Sequence, residues 1–122
     1  MFNYAAINEK IIKICQGLGY TLKMYDAKGA GPIVDPEKVR YFYLEPNGLM
    51  IRVPMDHNDN HNEIVLYCGI NKDTDSFLSL IKNLKTIAHF NGLIGLTIRN
   101  YDSDKVSTKQ FSDEAKNYKD KV

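Results

Sequence analysis

A chain of 122 residues has room for one ordinary domain, typically roughly 100–150 residues, and none for a two-domain enzyme. Hydrophobic residues at 43% and charged residues at 25% are globular values, which exclude a disordered, fibrous or membrane-spanning class. The 16 Lys and Arg against 15 Asp and Glu leave a net charge of +1, so a nucleic-acid role would have to rest on a local patch.

Met1-Phe2-Asn3-Tyr4 runs directly into a helical pattern, with no basic-then-apolar leader, so no secretory signal peptide is expected. Asn3 predicts a cap for a helix reaching about Gly17, with Ile7, Ile11, Ile14 and Leu18 on one stripe of 3.6-residue period. Glu9, Lys10 and Lys13 take its wet side. Tyr20 to Tyr25 alternates like a half-buried strand, and Gly29, Gly31 and Pro32 make Asp26 to Asp35 a loop. Val39 to Leu44 and Leu49 to Val53 are strand-like runs joined by Glu45-Pro46-Asn47-Gly48, which predicts a tight hairpin. Pro54 ends the second of these. A polar loop then leads to Ile64–Cys68, apolar throughout as a central strand covered on both faces would be.

Asp73, Thr74 or Asp75 can cap the next helix, whose stripe is Phe77, Leu80, Ile81, Leu84, Ile87 and Ala88 and whose stop is Asn91-Gly92. Leu93 to Arg99 reads as a strand weakened by Gly95. Ser107 and Gln110 form a capping-box pattern opening a short last helix with Phe111, Ala115 and Tyr118 on one side. The predicted class is an α+β two-layer sandwich of order α-β-β-β-β-α-β-α, a mainly antiparallel sheet of about five strands with two long helices. It forms a single domain over residues 1–118, and residues 119–122 are expected to fray. Cys15 and Cys68 lie in apolar runs, which favours two buried free thiols over a disulfide.

Four groupings could carry chemistry. His57 and His61, four apart beside Asp56, Asp59 and Glu63, include the nitrogen and carboxylate ligands that zinc takes. Histidines at that spacing share a face only on a helix, however, and Asn58-Asp59-Asn60 reads as loop. Counting Asp56 as the first position of a calcium loop puts His61 where glycine is needed and Tyr67 where the bidentate glutamate is needed. A solvated loop is the plainer reading. His57, His61 and Glu63 are the weak metal candidates, and no cofactor is expected.

Gly29-Ala30-Gly31-Pro32 lacks the lysine and the following helix of a phosphate loop, so it reads as a surface turn. Tyr41 and Tyr43 share one face of a strand, with Arg40 beside them and Arg52 on the neighbouring strand. Open to water, the tyrosines would be a stacking platform for single-stranded nucleic acid; covered by helices, they would be core and edge residues. The serines, His89, Asp102 and Asp104 assemble into no acid/base pair or nucleophilic triad, so the reading is that the protein is not an enzyme.

The hairpin Tyr41 to Ile51, the strand Glu63 to Tyr67 and the stretch Ile94 to Arg99 leading to Lys109-Gln110-Phe111 resemble a group of small proteins encoded by tailed phages. The resemblance covers roughly residues 39–115. Asn100-Tyr101-Asp102 stands where that group has a Phe-Gly turn, and Ser107-Thr108-Lys109-Gln110-Phe111 stands where it has Pro-Lys-Asp-Phe. It implies phage or prophage origin and a setting in the bacterial cytoplasm or the virion, and it carries no activity with it. The leading expectation is a non-enzymatic interaction module, a virion component or assembly factor. Its partners would be other protein subunits or a second copy of itself, through sheet edges offered by the hairpin, with no membrane partner. The alternative is a single-stranded nucleic-acid binder using Arg40, Tyr41, Tyr43 and Arg52.

Overall fold

The computed structural model describes residues 2–55, 62–72 and 74–121, without the side chains of 114, 115 and 117–121. In chain order the elements are α1 (Tyr4–Gly17), β1 (Thr21–Tyr25), β2 (Tyr41–Glu45), β3 (Leu49–Arg52), β4 (Ile64–Cys68), α2 (Thr74–Phe90), β5 (Leu96–Asn100) and α3 (Thr108–Lys121). They form one open five-stranded sheet in the order β1-β2-β3-β4-β5. The first four strands are an antiparallel meander; β5 lies parallel to β4, and α2 is the crossover that such a pair requires. The α+β class and element order are those the patterning predicts.

Period-2 alternation sends Phe42, Leu44, Leu49, Ile51, Ile64 and Leu66 to one face, where they form the main core with Ile7 and Ile11 of α1 and Leu80 and Leu84 of α2. Each such side chain, fully buried, contributes about 1.5–3 kcal/mol. The buried stripe of α1 is Tyr4, Ile7, Asn8, Ile11 and Cys15, rotated from the predicted one, and Ile14 and Leu18 are only partly buried. Asn8 is the reason hydropathy misses that rotation. Its side-chain amide donates to the carbonyls of Pro36 (2.7 Å) and Val39 (2.8 Å), tying the long β1–β2 loop to the helix.

The opposite face carries Tyr41, Met50, Val65 and Tyr67, which pack with Met55, Val106 and Phe111 beneath α3. The predicted cap of α1 is present, Asn3 Oδ1 accepting from the Ala6 amide at 3.2 Å. So is the capping box of α3: the Ser107 amide donates to Gln110 Oε1 (2.8 Å) and the Gln110 amide to Ser107 Oγ (3.1 Å). In the hairpin, Gly48 alone of the turn residues takes a positive φ (67°), and its amide donates to the Leu44 carbonyl at 2.9 Å. The fifth strand begins three residues later than its apolar run suggests. Leu93 turns into the core, and Ile94 is held off the ladder by donating its amide to the Asn62 carbonyl at 2.9 Å.

Both cysteines are free and buried. Burial pushes the Cys15 thiol up from 9.0 to about 12, and pushes Cys68 up as well, with Lys72 offsetting part of that rise. At pH 8 the native protein should therefore react with iodoacetamide at Cys15 roughly a thousandfold more slowly than the unfolded chain does. Above pH 9 the unfolded chain loses this proton while the folded chain keeps it, so stability falls as pH rises from 9 toward 12. Native-state labelling as fast as that in denaturant would contradict the buried placement.

Candidate functional site: an open strand edge

The tyrosine face is closed. Tyr41 is fully buried and Tyr43 is 5% exposed. Phe111 of α3 meets the Tyr41 ring at 5.3 Å between centroids and the Tyr25 ring at 4.5 Å. The Tyr43 hydroxyl donates to the Val106 carbonyl at 2.7 Å, and burial raises its phenol above the ordinary range. Arg52, only 2% exposed, places Nη2 3.6 Å from Glu63 Oε1, whose other oxygen accepts from Thr97 Oγ1 at 3.2 Å.

Arg40 stands just before β2, away from the tyrosines. Its guanidinium lies 3.4 Å from the centroid of the Tyr4 ring of α1, and Nη1 donates to the carbonyls of Glu37 (2.7 Å) and Val39 (2.9 Å). Arg40, Tyr41, Tyr43 and Arg52 thus form no stacking platform in this fold. Bases would need rings open to water, and α3 with the segment before it fills that space.

The glycine loop is a surface turn organised by its own acid. Asp26 Oδ1 accepts from the amides of Lys28 and Ala30, both at 2.9 Å, so the donors a phosphate would need are already taken. The loop then folds against the sheet, the Ile33 amide donating to the Met24 carbonyl at 2.8 Å. This bond covers part of the outer edge of β1. His57 and His61 lie outside the described residues. Among the described residues, no three His, Cys, Asp or Glu side chains gather in a way that could hold a metal ion. His89 closes α2 before β5 begins, and Asp102 follows the end of β5, so a strand length of roughly 16 Å separates their levels.

The hairpin offers no edge, contrary to expectation: β2 and β3 each have a strand on either side, and the sheet ends at β1 and β5. Short connections place consecutive antiparallel strands side by side, which encloses the hairpin between β1 and β4. Among the described residues, the edge that stays open is β5. Ile64 donates its amide to the Gly95 carbonyl (3.0 Å) and Tyr101 donates to Cys68 (2.8 Å), with Ile64 opposite Leu96 and Cys68 opposite Asn100. In a parallel ladder of this register Thr97 and Arg99 bond to β4, while the N–H and C=O groups of Leu96, Ile98 and Asn100 point away from the sheet. Among the described residues no backbone group pairs with these three.

The side chains along this edge are accessible too. Ile98, Arg99 and Asn100 are exposed, Ile98 at 39%. α2 packs against both α1 and β5, and near its start Leu78, 57% exposed, lines a shallow depression with Ile70, Lys72, Thr74 and Phe77. A second apolar surface lies on the α1 side of α2. There a groove of about 330 Å³ between the helices is lined by Ala6, Lys10, Ile14, Thr86 and Ile87, with Phe90 exposed at its rim. No described helix is long and apolar enough to cross a membrane.

Comparison with protein-family models, with curated proteins and with solved structures found no match to this chain.

Proposed function

We propose that this chain is a non-enzymatic protein-interaction module that takes a strand of another polypeptide onto the open edge of β5. The observation that carries this reading is the outward-facing backbone of Leu96, Ile98 and Asn100 beside an exposed isoleucine. An edge of this kind templates another strand through main-chain hydrogen bonds, while alternate side chains add selectivity. Natural sheets blunt such edges with charge, brevity or cover. The β1 edge has cover at Met24, whereas β5 carries only Arg99 as a charge. The setting attached to the reading is that of a phage virion component or assembly factor, on the resemblance of residues 39–115.

Ile98→Pro tests it. Proline removes an amide that points away from β4, a position edge strands tolerate, and leaves the inward bonds of Thr97 and Arg99 in place. The expected result is a folded variant that no longer retains the polypeptides co-purifying with the wild type, while Val34→Asp, a change at an exposed site in the β1–β2 loop, retains them. Undiminished capture by folded Ile98→Pro would overturn the proposal.

A further inference from the structure

We infer that the polypeptide received by β5 is a second copy of this chain, paired antiparallel about a two-fold axis through Ile98. The inference rests on the strand-edge reading above and adds the partner and the register. In that register Ile98 faces Ile98 of the second copy, Leu96 faces Asn100, and Thr97 faces Arg99. The three residues with outward backbone groups, Leu96, Ile98 and Asn100, become the hydrogen-bonded pairs, so each free donor meets a free acceptor. A two-fold interface requires this self-complementarity, and the five residues of β5 supply it without a gap.

Charge selects this register over its neighbours. Arg99 is the only charged residue of β5, and like charges directly opposite one another destabilise an antiparallel pair. Shifting the centre toward the C-terminal end puts Arg99 against Arg99. Shifting it the other way opposes Arg99 to Gly95 and leaves Asn100 without its partner. With Ile98 at the centre, Arg99 arrives beside Thr97 of the second copy, whose hydroxyl already bonds Glu63. Each guanidinium then meets a carboxylate, twice by symmetry. Thr97 and Arg99 form non-hydrogen-bonded pairs, in which facing side chains approach most closely. On the α2 side Ile98, 39% exposed, packs against its own counterpart.

A five-residue edge with one flanking helix buries less than the roughly 1,000 Å² of a stable dimer, so the association is weak, in the micromolar range. Sedimentation velocity across that range should show the mass of the intact chain doubling. Ile98→Pro should remain monomeric, and Arg99→Glu should weaken association about tenfold, the loss expected for two solvent-exposed charge pairs, one on each side of the axis. Ile98→Cys gives a geometric readout. Residues at the centre of a hydrogen-bonded pair have Cα atoms about 5.5 Å apart, inside the disulfide span of roughly 4.4–6.8 Å. Mild oxidation should therefore link Ile98→Cys into a dimer while leaving Val34→Cys monomeric.

A wild type monomeric across the range, or cross-linking equal at both positions, overturns the second-copy assignment. A dimer that survives Ile98→Pro overturns it as well and moves the contact to another surface. The edge reading is judged separately: if the wild type is monomeric but its captured partners disappear on Ile98→Pro, the occupant is a different chain. If capture also survives, both readings fail.

Discussion

Phe111→Ala is expected to destabilise the fold by about 3–5 kcal/mol, the range for truncating a buried phenylalanine to alanine, as read by urea unfolding. Phe111 is 3% exposed and sits against both Tyr25 and Tyr41, so its removal deletes two aromatic contacts and opens a void beneath α3. Much of the remaining sequence of α3 is charged or polar, including the exposed Lys109–Asp113 pair at 2.8 Å, which adds little. The ring therefore bears a large share of the docking of α3. Phe111→Leu, which keeps most of the volume, should lose much less. A loss below about 1 kcal/mol for the alanine variant would mean that α3 is not part of the cooperative unit and that the tyrosine face is only loosely covered.

Local chemistry was legible in the sequence wherever one or two residues decide the outcome. Asn3 and the Ser107–Gln110 pair mark helix starts because a side-chain oxygen meets a free amide close by in the chain. Alternation placed Tyr41 and Tyr43 on one face and Phe42 and Leu44 on the other, and the two cores divide along that line. What covers the tyrosine face was not legible, because Phe111 lies some seventy residues away and its stripe on α3 is short. Asn8 was hidden for a related reason: its buried side-chain NH2 group donates to the Pro36 and Val39 carbonyls, whose approach depends on the path of a loop.

The open edge falls elsewhere than the hairpin motif suggests, for a topological reason. The hairpin motif announces two strands but not their neighbours, and only the complete strand order shows that β5, entered through a helix, is left outside. Its signal was nevertheless present in Leu96-Thr97-Ile98-Arg99-Asn100, where apolar and polar residues alternate over Leu96 to Arg99 in a strand that follows α2; the helix after it, α3, is not the short one the pattern predicts but has 14 residues, as many as α1. Reading that stretch as an edge needs the inference that a helical crossover makes a parallel pair, and that the described residues after it supply a helix and no further strand.

Gly69→Ala is expected to cost about 3 kcal/mol, the upper end for overpacking, because the added carbon would meet backbone rather than a flexible side chain. A Cβ at Gly69 would lie 2.5 Å from the Ser103 carbonyl oxygen and 2.6 Å from both N and Cα of Lys105. That backbone has nowhere to retreat. The Ile70 and Asn71 amides donate to Ser103 (2.7 Å) and Asp104 (2.6 Å), and the Val106 amide donates to Gly48 (2.9 Å) on the far side. A Cβ at Gly48 would likewise fall 2.6 Å from Lys105 Cβ, so the strap from Tyr101 to Val106 is wedged between two glycines. It joins the end of β5 to the start of α3, and displacing it disturbs both the open edge and the cover of the tyrosine face. Gly17→Ala is the control: nothing lies within 4 Å of the added carbon, and a helical glycine replaced by alanine should gain about 0.5–1 kcal/mol. Thermal unfolding of the two variants should therefore move in opposite directions. A Gly69→Ala protein as stable as the wild type would show that the strap is free to shift, and that the position of β5 does not depend on it.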